Sequence, residues 1–279
     1  MVTAHSPGRS LVVSIGVDAY EHPDIPSLRW AAADARDFYS VVTNGRDPER
    51  VEARLLINDL ATLSDIRHAL GDWLAEAQPA DNVVIFFAGH GARELSTKSD
   101  QHADTYLLPG AADFDALYST SLALGAELPH ILGRIRSENI ICILDCCLSG
   151  ASRSTPPQGT RNRGVDGPGL RRAEAHRGHL LRSAVPLLDD KVEEIGEGLV
   201  VLSACGPNQS ALESDEIGHG VFTQSLLEVA AEARRVGVRS LTVGHLYDET
   251  MARVRERSDF AQIPMLDGRL SGQRFYVGS

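Results

Sequence analysis

Apolar positions in this chain fall in short, β-branched runs set apart by polar, turn-rich stretches. Leu11 to Val17, Ala53 to Asn58, Asn82 to Gly91, Asn139 to Leu144 and Gly198 to Cys205 predict strands, most of them without the alternation of a half-exposed strand. Runs of that kind are buried on both faces. Helical spacing lies between them. Arg29 to Val42 reads as one helix, and Ser64 to Ala77 as another, with Ile66, Leu70, Trp73, Leu74 and Ala77 on one face. Thr62, with Asp65 three residues on, is a capping-box-like start for the second. The order strand, helix, strand, helix, strand predicts a parallel sheet with helices on both faces, an α/β architecture. Thr105 to Pro109 reads as an edge extension and Leu122 to Arg136 as a helix interrupted at Pro129. Gly220 to Arg235 and Val243 to Arg257 read as amphipathic helices, and Gln273 to Val277 as the sheet's closing strand.

Residues 151–197 break the pattern. No long strand or helix is predicted there, and Ala151 to Arg182 carries seven arginines (Arg153, Arg161, Arg163, Arg171, Arg172, Arg177, Arg182) against Asp166 and Glu174. A structureless stretch beyond about 12–15 residues inside a domain is usually functional or disordered. There is no internal repeat, so the expectation is one domain over 1–279. It comprises a half at 1–150, an Arg-rich flexible linker at 151–197 and a second half at 198–279.

Composition narrows the function classes. A chain of 279 residues can bury roughly 70–75% of its unfolded surface without staples. The net charge of -11 argues against nucleic-acid and anionic-membrane partners. No apolar run approaches the roughly 18 residues of a membrane span, and the N-terminus lacks a signal-peptide pattern, so a soluble cytoplasmic protein is expected. Of four cysteines, Cys142, Cys146 and Cys147 crowd into six positions, a spacing that suits neither a disulfide framework nor a C-x-x-C motif.

Chemistry is expected where two strands end. In an open α/β sheet ligands bind outside the carboxyl ends of the strands. One strand delivers His90 between Gly89 and Gly91, and another delivers Asp145, Cys146 and Cys147. If those strands are neighbours, a thiol and an imidazole meet at one rim. A thiol needs such a partner, because cysteine is mostly protonated at neutral pH. The glycines permit close approach of a substrate backbone, and the amides of Gly91 and Cys147 would form an oxyanion hole. The same residues also fit ordinary buried cysteines and a plain Gly-His-Gly turn.

Gly89-His90-Gly91 followed, 57 positions after the histidine, by Cys147 within Asp145-Cys-Cys-Leu-Ser-Gly150 resembles the caspase-like cysteine peptidases, in particular the metacaspase branch and its bacterial relatives. Leu11 to Val17, Trp30-Ala-Ala-Ala-Asp34-Ala, and Ser203-Ala-Cys205 through Gln209 and Glu213 to Gly220-Val-Phe-Thr-Gln match as well. The resemblance implies a caspase-like fold with a mostly parallel six-stranded sheet and a Cys147–His90 dyad, the nucleophile being the second of the paired thiols. It further implies an acidic pocket of Asp145 and Asp34, which would favour arginine or lysine before the cut bond. Protein or peptide substrates follow. Metacaspases commonly carry His after the nucleophile and a small hydroxyl two positions before the catalytic histidine, where this chain has Leu148 and Ala88.

No cofactor is expected. Some metacaspases use calcium, for which Asp100, Asp104, Asp113 and Asp115 are the candidates, with loop and capping roles as the alternative. In caspase-like enzymes the segment after the catalytic cysteine is often cut, so 151–197 reads as a zymogen linker cleaved at one of its arginines, by itself or by an activating protease. Bacterial relatives are associated with programmed cell death and antiphage or stress responses. The rival readings are a catalytically silent scaffold of the same fold and a dinucleotide-binding enzyme, although Glu94 stands where the fingerprint's third glycine belongs.

Overall fold

A computed structural model describes residues 8–95, 103–147, 159–166, 198–206, 209–268, 270 and 272–277. Along the chain run β1 (Ser10–Gly16), α1 (Ala31–Thr43), β2 (Val51–Ile57), α2 (Leu63–Arg67), β3 (Asn82–Ala88), β4 (Gly91–Leu95) and β5 (Ala103–Leu107). Next come α3 (Leu117–Thr120), β6 (Leu122–Ala123), α4 (Leu128–Leu132), β7 (Asn139–Asp145), β8 (Thr160–Asn162), β9 (Gly164–Asp166) and β10 (Leu199–Ser203). The last are β11 (Leu212–Ser214), β12 (His219–Gly220), α5 (Val221–Arg235), β13 (Ser240–Thr242), α6 (Val243–Arg257), β14 (Met265–Gly268) and β15 (Arg274–Tyr276).

The central sheet has six strands in the order β14-β10-β7-β3-β1-β2, parallel except for β14. Its central strands bury both faces because alternate side chains enter different cores. Val84 and Phe86 of β3 pack with α1, α5 and α6 on one side, while Val83, Ile85 and Phe87 pack with α2 and α4 on the other. Phe38 of α1 stacks on Phe86 at 4.3 Å between ring centroids. Helices therefore cover both faces, as the alternation of elements predicts. Among the described residues no helix is long and apolar enough to cross a membrane.

Four expectations are corrected. The sixth strand is β14, not Gln273 to Val277; that segment supplies β15, which pairs with β13 outside the sheet. β14 is half exposed and only four residues long, so no apolar run marks it. Its Gly268 lies at φ 108°, where a Cβ would meet the Leu199 carbonyl at 2.3 Å. The helix predicted for Leu122 to Arg136 shrinks to α4, which opens at Leu128 with Pro129 in its first turn, where a missing N–H costs nothing. The helix begun at Thr62 is capped as expected, Thr62 Oγ1 accepting from the Asp65 amide. Beyond Arg67, however, it widens to a π-helical stretch over His68–Trp73 and tightens again at Leu74–Glu76. The linker, finally, is not structureless throughout: Thr160–Asn162 and Gly164–Asp166 are strands. Arg153, Arg171, Arg172, Arg177 and Arg182 lie outside the described residues, as do Asp100 and Leu148.

Candidate active site

β3 and β7 lie side by side and parallel, with Ala88 opposite Asp145. His90 and Cys147, each two residues past that pair, leave the sheet at the same rim. β4 starts at Gly91, directly after the histidine. A strand, rather than a helix, follows Gly89-His90-Gly91, so no helix N-terminus is present to hold a pyrophosphate and the dinucleotide reading is excluded.

His90 is fully buried. Its amide donates to the Tyr20 hydroxyl at 2.8 Å, and the tyrosine ring packs 5.0 Å from the imidazole. Nε2 lies 2.7 Å from the Pro26 carbonyl. A carbonyl only accepts, so Nε2 carries the proton and, in the neutral ring, Nδ1 holds the lone pair. Among the described residues that Nδ1 has no hydrogen-bond partner. Burial lowers the imidazole from 6.5 to about 4, against the opposing pull of the Pro26 and Arg163 carbonyls. Between those two values the unfolded chain binds the extra proton, so stability falls as pH drops through this window, by on the order of 3 kcal/mol from this group. In uncut chains carrying Cys147→Ala, the loss of urea midpoint from pH 7 to pH 4.5 is expected to shrink when His90→Gln is added. An equal loss in both would contradict this origin.

The adjacent thiols face opposite ways, as strand alternation requires. Cys146 enters the core with Cys142 and Leu144, whereas Cys147 packs on the side of Ile143 and Ala211. Burial, with Cys147 and Asp145 nearby, pushes the Cys146 thiol well above its ordinary range. Burial acts on Cys147 too, but contacts with Cys205, the Ala211 amide, Ser210 and the Arg163 backbone outweigh it and hold that thiol below the usual value. The Ala211 amide sits 2.9 Å from Cys147 Sγ. Of the two sulfurs, only the second is in surroundings that favour a thiolate.

Arg163, between β8 and β9, passes directly over this rim. The amides of Gly91 and Cys147 both donate to its carbonyl, each at 3.2 Å, and its own amide donates to the Ala211 carbonyl at 2.9 Å. A Cβ on Gly91 would meet the Cys147 carbonyl at 2.1 Å, so only glycine fits here. Upstream, β8 pairs antiparallel with β11; downstream, β9 pairs parallel with β4. The chain thus crosses the cleft in extended form and covers Cys147, which has no exposed surface.

The Arg163 side chain is buried among three acids. Its guanidinium lies 2.5 Å from Asp34, 3.0 Å from Asp145 and 3.4 Å from Glu213, all fully buried. Burial disfavours its charge, yet Asp145, Asp34 and Glu213 together hold it above the ordinary arginine range. The acids are themselves fixed. Asp145 accepts from the Thr223 hydroxyl at 2.5 Å, and burial raises its carboxyl despite Arg163. Asp34 sits one turn before Phe38 on the buried face of α1 and accepts from His219 Nδ1 at 2.7 Å and from the Gly220 amide. Glu213 accepts from the Arg29 and Trp30 amides at the start of α1. A Cβ on Gly220 would lie 2.5 Å from Asp145 Oδ2, so glycine floors the pocket.

The structure thus gathers His90, Gly91, Cys147, Asp145, Asp34 and, of the linker arginines, Arg163. Arg161 lies nearby on the surface side, paired with Asp215. Glu213, Thr223 and His219 join the site without any local sequence signal that assigns them to it. Glu213 and the Gly220-Val-Phe-Thr223 block did, however, stand in the stretch that carries the resemblance.

Of the candidate calcium acids, Asp100 lies outside the described residues. Among the described residues, the metal-ligating atoms of His22, Asp113 and Asp115 come within 4.8 Å of one another. Asp113 is already engaged there, its carboxylate accepting from the Asp115 amide. Calcium asks for six to eight oxygen ligands, and two carboxylates with an imidazole do not fit it. Asp104 sits instead in the β4–β5 ladder, opposite Glu94.

A thiol held low, an imidazole with a free lone pair and two amides on one carbonyl are what acyl transfer needs. Comparison with known proteins bears on the same point. The caspase domain model matches residues 9–276. A crystal structure of a Geobacter sulfurreducens protein superposes with a TM-score of 0.65 at 18% identity, covering 97% of this chain and 100% of that one, and so shows likeness of fold. No curated protein matches the sequence. With a family match over nearly its whole length and a mostly parallel six-stranded sheet between two layers of helices, the chain belongs to the caspase domain family of cysteine peptidases.

Proposed function

We propose that this protein is a cysteine endopeptidase that cuts after arginine or lysine, with Cys147 as nucleophile and His90 as general acid and base, and that it is made as a zymogen. The observation that carries this reading is the seat of Arg163. Its carbonyl lies on the Gly91 and Cys147 amides while its guanidinium lies among Asp34, Asp145 and Glu213. That is how the residue before a scissile bond sits in a peptidase.

The chemistry follows from the atoms present. Cys147 loses its proton to Nδ1 of His90, and the sulfur bonds to the carbonyl carbon of Arg163 or of the equivalent substrate residue. The developing oxyanion stays on the two amides, a position worth about 10²–10³ in rate per donor. The C–N bond breaks, and His90 hands its proton to the leaving amine, which in the uncut chain is that of Gly164. Water, deprotonated by His90, then attacks the thioester and frees the thiol. Until Arg163 is displaced, the cleft is closed to substrate in trans.

Dye release from peptides ending in Arg, Lys or Asp, with and without calcium, tests the specificity. Turnover is expected on Arg and Lys and is expected to be absent on Asp, because a fourth carboxylate among Asp34, Asp145 and Glu213 meets only like charge. Calcium is expected to change nothing, given the donor set. No turnover on any peptide, before or after trypsin treatment, would favour a silent scaffold.

A further inference from the structure

The acidic character of the cleft continues past the pocket for Arg163. β8 and β11 align Arg161 with Glu213 and Thr160 with Ser214. Side chains alternate along a strand, so Arg161 and Arg163 share one face of the docked segment while Asn162 points the other way. Against this R-x-R pattern stands Glu213-Ser214-Asp215, acids at the same period of two. Arg161 is held bidentately: Nη1 lies 2.9 Å from Asp215 Oδ1, and Nη2 lies 3.0 Å from Oδ2. Asp215 is in turn oriented by Trp30 Nε1 at 3.1 Å and by Arg29 Nη1 at 2.8 Å. A carboxylate fixed by two neighbours and met by a planar fork is a recognition geometry rather than a loose surface pair.

Building on the peptidase reading, we propose that Asp215 is a specificity residue and that the cleft selects a second arginine two residues before the one at the cut bond, its substrates reading Arg-x-Arg. Arg29 stays on the protein and shares the carboxylate, and both partners are about 40% exposed, so the selection is moderate. Exposed pairs contribute little and bidentate ones more, which points to about a fivefold preference.

The self-cut enzyme assayed on two dye peptides, Arg-Asn-Arg and Ala-Asn-Arg, gives the readout as a ratio of kcat/KM. Wild type is expected to favour the first about fivefold. Asp215→Ala is expected to bring the ratio to about one, and Asp215→Arg to carry it below one. A purely structural role for Asp215 would lower both rates and leave the ratio standing, which would overturn the proposal, as would a wild-type ratio of one. In a second arm, full-length protein carrying Cys147→Ala is nicked with trypsin. Cutting after Arg161 is expected to accelerate when Asp215→Ala is added, and unchanged nicking would count against the docked pair. If wild type turns over neither peptide, the peptidase reading fails and takes this one with it. Turnover without preference removes Asp215 alone.

Discussion

Replacing Cys147 by alanine is expected to leave the purified chain in one piece and to lower turnover of Arg-ended peptides on the order of 10⁴-fold or more. Without the sulfur no thioester forms, and what remains is the pull of two amides on a carbonyl that nothing attacks. His90→Ala is expected to fall nearly as far, since the two groups act as a unit. Cys146→Ala serves as the comparison. That thiol faces the opposite core and is held protonated, so its loss is expected to cost less than about tenfold, through packing alone. Intact mass and dye release measure all three variants. A Cys146→Ala protein as dead as Cys147→Ala would reassign the nucleophile.

Asp145→Asn carries the second large effect. The carboxylate is fully buried, lies 3.0 Å from the Arg163 guanidinium and accepts from Thr223. Asparagine keeps the shape and can still accept that hydroxyl, so the pocket should stand while one of its three charges is gone. Breaking one side of a buried, hydrogen-bonded charge pair costs about 2–5 kcal/mol, hence kcat/KM on Arg-ended peptides is expected to fall by on the order of 10²-fold. With chemistry slow relative to substrate dissociation, most of that loss is expected as a raised KM. A change below about threefold would mean that Asp34 and Glu213 suffice, and that Asp145 is there for structure.

Much of this geometry was legible in the sequence, for a physical reason. Strands buried on both faces are continuous apolar runs, and the runs ending at Ala88 and Asp145 announced both themselves and the rim where they stop. The register of β3 on β7 then delivers His90 and Cys147 together. β14 was missed because a short antiparallel edge strand with exposed Met265 needs no apolar run. The strands at 160–166 were missed because their partners are the cleft edges β4 and β11, and pairing with a distant edge leaves no local periodicity. Of the linker arginines, charge alone gave seven equal candidates; only the fold shows that Arg163 has three buried acids around it. Glu213 stands in the stretch that carries the resemblance, but nothing local places it beside Asp34, 179 positions earlier in the chain.

On the proposed reading the bond between Arg163 and Gly164, whose carbonyl lies on the Gly91 and Cys147 amides, is the one cut, and the fragments of the chain report on it directly. Wild-type protein, sampled over time after purification and sequenced from the amino end of its smaller fragment, is expected to begin at Gly164, followed by Val165 and Asp166. Protein carrying Cys147→Ala is expected to yield no such fragment. A wild-type chain that stays whole and yet turns over Arg-ended peptides at full rate, or one whose new terminus falls elsewhere with Arg163 still joined to Gly164, would contradict the account.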